Sequence, residues 1–563
     1  MNTKWELIEP NKPLAQSLSV EFKLSPLTTQ VLINRGVTDT AKAEEFLRPR
    51  LAHLRNPMEI PNVEKAARRL LEVKARGEKV LIFGDYDVDG VTGTSILLQT
   101  LRFLGIDATY YIPHRYGEGY SLSIDAVKKI AESGIKLIIT VDCGISSLEE
   151  VAEAGRLGLD VIITDHHNLP NQLPNAYAIV NPKMIPYDHP SEHLSGAGVA
   201  FKFAWALLKI AGEKDSVFLT SLLDLASLGT IADVVPLNRE NRVLAAAGLN
   251  LINQRKRIGI SELADAAKIG DRISIRNVNF GLAPRINAAG RLEHASKAVE
   301  LMVTDDPVKA RELAKELGQI NTRRQGIGKD IQEEVFSRLD DNYIQQNRLA
   351  VLSGADWHPG VIGIVASKVV DRFSRPAVLI GVTDGVGRGS ARSIDGINIF
   401  NILETCSDLF TDFGGHAGAA GFEIDADKIP ELTKRLQAEA EKRISPEDLR
   451  SKIFIDAEVD LSTVTLNLVK ELDVLDPHGE GNPVPIFSSR GIALSNMRTV
   501  GADGKHLKAK ILGIDMIGFG FGNLGKALSY DKKYDIAYHL NANEWNGFEV
   551  AQLALVDIRE AKR

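Results

Sequence analysis

The sequence predicts an α/β protein with two α/β lobes, a long helix between them and a small OB-like β-barrel at the end. In two separate regions short apolar runs alternate with helix-like stretches, which indicates buried parallel strands covered by helices. Between these regions, a charged stretch has no proline after Pro307, as expected of a long helix. After residue 452 the runs are short and alternating, which is typical of a barrel.

The predicted parts follow the changes in composition and periodicity along the chain. They are a helical segment at 1–75, an α/β lobe at 76–296, a connecting helix at 297–345, a smaller α/β lobe at 346–445 and a barrel at 452–563. Ser445-Pro446-Glu447 marks the linker before the barrel. OB-like barrels are widely used to hold single nucleic-acid strands.

The first lobe contains four short apolar runs, each followed by polar residues or glycine. They lie at 80–83, 137–141, 161–163 and 178–180. Helix-like stretches separate them, for example at 122–133. Continuous apolar runs of this length are typical of strands that are buried on both faces, so we expect a parallel sheet.

Composition and charge limit the class of protein. A hydrophobic content of 44% and a charged content of 25% are those of an ordinary globular protein. The net charge of −7 means that nucleic acid would have to bind through local basic grooves or metal ions. Two cysteines, Cys143 and Cys406, fit a reducing compartment. The sequence shows neither a secretory signal nor a spanning apolar run, so we expect a cytoplasmic protein with no membrane association.

Acidic residues and histidines follow three of the predicted strands. Asp85, Asp87 and Asp89 follow the first strand, Asp142 follows the second, and Asp165-His166-His167 follows the third. The carboxyl ends of parallel strands meet at one edge of a sheet, which is where ligands bind. Carboxylates combined with imidazole suit Mn²⁺ or Mg²⁺. We therefore predict a metal site at this edge, with the three aspartates of the first cluster on one face if the backbone stays extended.

Other interpretations exist for these acids. Asp-rich turns after strands are common helix caps, and a calcium-binding loop would need a glycine and a glutamate at other positions than this sequence has. Asp233 follows a helical apolar stretch and is flanked by apolar residues. A buried carboxylate needs a partner, so Asp233 is either a metal ligand or is paired with an arginine.

These motifs resemble those of the DHH phosphoesterase superfamily. Asp-Tyr-Asp-Val-Asp-Gly at 85–90, Val-Asp-Cys-Gly at 141–144 and Asp165-His166-His167 look like its first three motifs, and Asp233 matches the fourth. Segments at 194–200, 284–291, 357–363 and 414–421 also resemble this family, and the last two belong to its DHH-associated domain. The resemblance covers nearly the whole chain and is closest to the family's single-strand-specific 5′→3′ exonucleases.

The resemblance implies a set of metal ligands and partners. Two Mn²⁺ or Mg²⁺ ions would be held by Asp87, Asp89, Asp142, His166 and Asp233, with Asp85 and His167 also in the site. The implied activity is two-metal hydrolysis of single-stranded DNA in DNA repair and recombination. The implied partners are single-strand-binding protein and a RecQ-type helicase, and we expect a monomer.

Several other residues are predicted to hold the DNA strand. The loop at 113–120 offers Arg115 and Tyr116, and a glycine-rich loop at 385–393 offers Arg388. The alternatives are a simple glycine-rich turn for the first segment and a glycine-rich hairpin with solvated arginines for the second. The family resemblance assigns Ser390 and Arg392 to the 5′-terminal phosphate, with Arg115 as a helper. Further candidates for contact with the nucleic acid are His358, His416, Arg285, Asn287 and Arg291. The last three could equally hold the two lobes together.

Two other functions compete with the exonuclease. A phosphoesterase for small nucleotides or short RNA would share the metal motifs, but a third binding surface such as the barrel is useful only for longer polymers. A non-catalytic DNA-binding protein would need decayed motifs, whereas every motif acid is present here.

Overall fold

The computed structural model describes residues 3–114, 121–545 and 547–561. The chain forms two compact units, one made of residues 1–4, 284–294 and 312–453 and the other of residues 5–283, 295–311 and 454–563. Within the described ranges, every helix is too short or too polar to cross a membrane.

The N-terminal residues form a strand and four helices. These are β1 (Lys4–Leu7), α1 (Lys12–Phe22), α2 (Pro26–Asn34), α3 (Thr40–Leu47) and α4 (Val63–Arg76). Helices α1 to α3 share one apolar core with the C-terminal strands, for example Leu18, Val31 and Phe46 with Phe487 and Tyr538. The sequence did not predict this packing of the N-terminal helices on the C-terminal strands, because local periodicity does not show which distant segment a buried face contacts.

A parallel sheet follows, as expected. Its elements are β2 (Val80–Gly84), α5 (Val88–Phe103), β3 (Ala108–Tyr111), α6 (Ile124–Glu132), β4 (Leu137–Val141), α7 (Leu148–Arg156), β5 (Asp160–Thr164) and β6 (Ala178–Val180). The strand order is β3-β2-β4-β5-β6 and all four pairings are parallel. Strands β2 and β4 are buried along their whole length, which explains their continuous apolar sequences.

A run of helices follows the first sheet along the chain. They are α8 (Gly196–Ile210), α9 (Ser216–Ser221), α10 (Leu223–Ala232), α11 (Arg239–Asn253), α12 (Ile258–Ala266), α13 (Ile275–Asn277), α14 (Ala283–Leu292), α15 (Ser296–Val303) and α16 (Pro307–Arg338). Helix α16 has 32 residues and is the predicted long helix. It begins at Pro307, because proline is compatible with the first turn of a helix.

The second sheet is mixed. Its region contains α17 (Asp341–Gln346), β7 (Ala350–Ala355), α18 (Pro359–Phe373), β8 (Ala377–Thr383), β9 (Val386–Arg392), α19 (Ile399–Glu404), β10 (Phe410–His416), β11 (Ala419–Asp425) and α20 (Ile429–Arg443). The strand order is β10-β11-β9-β8-β7. The glycine-rich segment at 385–393 is mostly strand β9, which forms a hairpin with β8, so the hairpin alternative is correct and the loop is not. Gly389 makes this possible, because a Cβ there would lie 2.1 Å from the ring of Phe422 on the neighbouring strand.

The C-terminal domain is predominantly β. It contains β12 (Lys452–Ile455), β13 (Ala457–Glu458), α21 (Leu466–Leu472), β14 (Phe487–Ala493), β15 (Ser495–Val500), β16 (His506–Ile511), β17 (Ile514–Gly518), α22 (Gly522–Gly525), β18 (Lys533–Trp545) and β19 (Phe548–Glu560). Seven of these strands form one mixed sheet in the order β13-β14-β18-β19-β17-β16-β15. The predicted β domain at the end of the chain is therefore confirmed.

Candidate metal centre and nucleic-acid-binding residues

The first acidic cluster crosses from a strand into a helix. Strand β2 ends at Gly84, and Asp87 is the N-cap of α5, where its Oδ1 accepts hydrogen bonds from the amides of Asp89 (2.9 Å) and Gly90 (3.1 Å). The condition of an extended backbone through Asp89, on which the three aspartates would share one face, is therefore not met. A capping carboxylate satisfies amides at the start of a helix, so the helix begins between the aspartates.

Asp142 lies directly after β4 in an unusual conformation. Its φ is +62°, in the left-handed region that residues other than glycine rarely adopt, and its side chain is buried. Its amide donates to the carbonyl of Thr164 at 3.0 Å. Gly196 leaves room for it, because a Cβ at that position would lie 2.7 Å from the Asp142 side chain. Such strain is often found at functional sites.

Asp165, His166 and His167 follow β5 and have different roles. Asp165 is fully buried and accepts from the amides of Ile145 (3.0 Å), His166 (2.7 Å) and His167 (3.0 Å), while its Oδ1 lies 2.7 Å from Nδ1 of His167. Burial alone would raise the pKa of Asp165, but the bond to His167 lowers it overall. Asp165 therefore acts as an anion that orients the two histidines.

His166 is close to acids from three other parts of the fold. Its Nε2 lies 3.0 Å from Oδ1 of Asp142, 3.7 Å from Oδ2 of Asp233 and 3.9 Å from Oδ2 of Asp89. Asp233 caps the C-terminus of α10, and its Oδ2 is buried with no hydrogen-bond partner among the described residues. The metal-ligand interpretation of Asp233 is thus favoured over pairing with an arginine.

Three overlapping groups of side chains have ligand atoms close enough to hold a cation. Within each group these atoms lie within 4.8 Å of one another. The groups are Asp142, His166 and His167; Asp89, His166 and Asp233; and Asp85, Asp87 and Asp142. Because Asp142 and His166 each belong to two groups, the acids form one continuous cluster, and all seven residues predicted for the catalytic site belong to it.

The electrostatics of the cluster favour bound cations. Burial, together with the charge of Asp87, raises the pKa of Asp89 to about 7. Burial and the charge of Asp89 raise the pKa of Asp233 to about 9, and the same causes raise that of Asp142 well above its usual value. Burial and the neighbouring His167 lower the pKa of His166 to about 3, so its imidazole is neutral and able to bind a metal. These donors fit Mn²⁺ or Mg²⁺.

The start of α8 holds Asp89, a role that sequence reasoning missed. The carboxylate of Asp89 accepts from the amides of Gly196 (2.5 Å) and Ala197 (2.9 Å). Ser195 caps this helix, accepting from the amide of Gly198 at 3.1 Å. The positive end of a helix stabilises an anion there. The Ser-Gly-Ala-Gly sequence at 195–198 was the available signal, since it combines a helix cap with residues that allow close approach.

Ser390 and Arg392, the residues predicted to bind the terminal phosphate, lie two positions apart on β9, and their side chains are in contact. Nη1 of Arg392 donates to Oγ of Ser390 at 3.2 Å and to the carbonyl of Ala391 at 2.7 Å. Gly363 of α18 faces them, because a Cβ there would lie 2.8 Å from Oγ of Ser390 and 3.0 Å from Nη2 of Arg392. Arg388 is exposed and pairs with Glu423 at 3.0 Å. Serine and arginine at this spacing can bind a phosphate.

The remaining predicted contacts are spread over other elements. His358 caps α18 by accepting from the amide of Gly360 at 3.0 Å, and Nη1 of Arg291 donates to the carbonyl of Gly360 at 3.0 Å. His416 is exposed at the end of β10. Arg285 and Asn287 lie on α14 and are partly buried. Arg115 and Tyr116 lie outside the described residues.

Three protein-family models match successive regions of the chain. The DHH family, N-terminal domain, matches residues 79–230, the DHHA1 domain matches 346–442, and the RecJ OB domain matches 455–557. Single-stranded-DNA-specific exonuclease RecJ of Bacillus subtilis (strain 168) is 39% identical over 562 residues, which are 98% of this chain and 70% of that protein. The chain belongs to the RecJ family.

Solved RecJ structures agree with this membership. RecJ from Thermus thermophilus in complex with Mn²⁺ has a TM-score of 0.87 and 32% identity, over 100% of this chain and 80% of that one. The Mg²⁺ complex from the same organism has a TM-score of 0.82 and 31% identity, over 100% of this chain and 79% of that one. The RecJ family thus includes proteins that bind the two cations that the donor set of this chain fits.

Proposed function

We propose that this RecJ-family chain degrades single-stranded DNA in the 5′→3′ direction by hydrolysis at a centre of two divalent ions. The observation that carries the proposal is the continuous cluster of buried carboxylates around His166, in a chain of this family. Burial and mutual repulsion raise the pKa values of these acids in the absence of a cation, and bound cations would relieve that repulsion.

In the proposed site, Asp87, Asp89, Asp142, His166 and Asp233 hold the ions, with Asp85 beside them. At such a centre, paired divalent ions supply an activated water and stabilise the leaving oxygen. The amides at the start of α8 fix the carboxylate of Asp89, and Asp165 fixes the ring of His167. His167 is about half exposed, and in this proposal it would contact the phosphate or the attacking water.

Ser390 and Arg392 would hold the 5′-terminal phosphate, which accounts for the polarity. We further propose that Arg115, Tyr116, Arg285, Asn287, Arg291, His358, Arg388 and His416 contact the DNA strand. The C-terminal β domain would hold the strand farther along. The same proposal includes the domain limits given above, a monomeric state and a bacterial cytoplasmic location. It also includes association with single-strand-binding protein and a RecQ-type helicase.

A cleavage assay tests the function. The chain is incubated with Mn²⁺ and a labelled substrate: a long single strand, its duplex, a single strand blocked at its 3′ end or at its 5′ end, or a dinucleotide. We expect rapid release of label from the free and 3′-blocked single strands, and little from the duplex or the 5′-blocked strand. Equal turnover of the dinucleotide would instead support a small-nucleotide phosphoesterase. If only the 3′-blocked strand resisted cleavage, degradation would run 3′→5′ and the proposed direction would be wrong. Asp142→Ala is the matched inactive control.

A further inference from the structure

The metal-site residue Asp233 is followed by a short segment that lies against the C-terminal domain. Asp233 caps α10, and four residues later the amide of Leu237 donates to the carbonyl of Glu480 at 2.7 Å. Four residues span at most about 14 Å when fully extended. The position of Leu237 therefore restrains the position of Asp233.

Two glycines allow this close approach. A Cβ on Gly479 would lie 2.6 Å from Cδ1 of Leu237. Gly481 has a φ of +70°, and a Cβ there would lie 3.1 Å from Cβ of Pro236. The loop at 475–482, which we call the anchor loop, thus packs against the segment after Asp233 with no room for larger side chains.

Arg242 holds the anchor loop from the side of α11. It is 1% exposed, and its guanidinium donates only to backbone carbonyls in the described structure. These belong to Phe46 (2.6 Å), Leu475 (3.0 Å), Asp476 (2.6 Å) and Pro477 (3.2 Å). Asn482 braces the loop internally, since its side-chain amide donates to two of the same carbonyls. A buried charge with this many donors fixes the loop relative to α11.

Val234, between Asp233 and Leu237, has a strained backbone conformation. Its φ is +59°, which is a rare conformation for a β-branched residue, and its side chain is 60% exposed. A strained backbone persists only where the surrounding structure holds it. Because the exposed Val234 side chain has little packing of its own, the contacts of Pro236 and Leu237 must supply this restraint. They include a 3.1 Å bond from the side-chain amide of Asn241 to the carbonyl of Pro236.

We propose that the anchor loop and Arg242 position Asp233 for metal binding, so that the C-terminal domain sets the metal affinity of the catalytic domain. The inference rests on the proposed ligation of a cation by Asp233. When the anchor is weakened, Val234 relaxes toward negative φ and the carboxylate of Asp233 turns away from His166. Arg242, Gly479 and Gly481 are positioning residues in this scheme.

Mn²⁺ binding to the full-length chain tests the proposal without reference to activity. Free Mn²⁺ is measured by electron paramagnetic resonance during titration of Gly479→Ala, Arg242→Met and Asp233→Asn. Residues that orient a metal ligand typically contribute about 10–100-fold to affinity, so we expect Gly479→Ala and Arg242→Met to weaken binding by about tenfold. Gly525→Ala is the matched control, because its Cβ would similarly meet a leucine, Leu507, at 2.9 Å, outside the anchor loop.

A second substitution separates positioning from general damage. Glycine adopts positive φ without strain, so Val234→Gly removes the tendency of the segment to relax. Added to Gly479→Ala, it should restore part of the lost Mn²⁺ affinity even where the metal-free melting temperatures of the two variants are the same, whereas general damage would lower affinity and melting temperature together. If Asp233→Asn weakens binding while both Gly479→Ala and Arg242→Met bind Mn²⁺ normally, the inference is overturned and the metal site stands. If Asp233→Asn also binds normally, the ligand assignment itself is wrong.

Discussion

Nε2 of His166 lies 3.0 Å from Oδ1 of Asp142, although the two residues follow different strands of the sheet. Neighbouring parallel strands β4 and β5 end at the same edge, which brings the residues together. Both residues also belong to more than one group of possible ligands. Removing either one should therefore disturb the whole cluster and not only a single ion.

Asp142→Ala should abolish most metal binding and activity. The substitution removes a carboxylate that belongs to two ligand groups, so we expect turnover to fall by more than the roughly 10–100-fold typical of losing a residue that only orients a ligand, with weaker Mn²⁺ binding by calorimetry. Asp412→Ala, at an exposed position of β10, is the control. Near-normal turnover by Asp142→Ala would contradict the assignment of the site.

Metal affinity should rise with pH between about 7 and 9. In the metal-free chain the pKa of Asp89 is about 7 and that of Asp233 about 9, because burial and mutual repulsion favour their protonated forms. A cation binds the ionised carboxylates. Below these pKa values a carboxyl must therefore release its proton when the cation binds, and above them it has no proton to release. Calorimetry in buffers with different ionisation enthalpies should show proton release at about pH 7 that disappears toward about pH 10. Affinity independent of pH over this range would contradict the predicted protonation.

Thermal stability should show the complementary trend. The pKa values of Asp89 and Asp233 are raised on folding, so their contribution to stability is present at low pH and is lost as pH rises through the folded-state values. The melting temperature of the metal-free chain should therefore fall as pH rises above the usual aspartate value of 3.8, with the contribution of Asp89 lost by about pH 7 and that of Asp233 by about pH 9. The increase in melting temperature on adding Mn²⁺ should grow over the same range, which calorimetric scanning measures directly.

Asp165→Asn should weaken metal binding although Asp165 is not a predicted ligand. Its carboxylate accepts from three amides and lies against the ring of His167, and an amide group cannot accept at both atoms. Leaving a buried donor unsatisfied costs about 1–3 kcal/mol, and the histidines lose their orientation. We expect a lower melting temperature and roughly tenfold weaker Mn²⁺ binding. Unchanged affinity would show that Asp165 does not orient the ligands.

Gly363→Ala should reduce the preference for a 5′-phosphate. The new methyl group would lie 2.8 Å from Oγ of Ser390 and 3.0 Å from Nη2 of Arg392, so both must shift. Cleavage of 5′-phosphorylated and 5′-hydroxyl strands is compared, with Gly318→Ala as control, since no atom lies within 4 Å of a Cβ there. A several-fold fall in the ratio of the two rates is expected. An equal fall for both substrates would argue against a phosphate site at Ser390 and Arg392.

The strands of the first sheet and the acids at their ends can be predicted from the sequence. Runs such as 80–83 and 137–141 are buried on both faces, so their apolar character reveals them without any knowledge of distant contacts. Parallel strands also imply a common edge, which is why Asp142 and His166 could be placed together. The boundary between β2 and α5 was less predictable, because the same aspartates can cap a helix or extend a strand.

The residue types and approximate place of the candidate metal-site cluster could thus be predicted from the sequence itself. The tertiary structure decided how each side chain is held: the amides of α8 on Asp89, the burial of Asp165, and the packing of the N-terminal helices on the C-terminal strands. It also decided that Leu237 contacts Glu480, which is far away along the chain. Local periodicity records which residues are buried, whereas the partners of a buried polar group depend on contacts between distant segments.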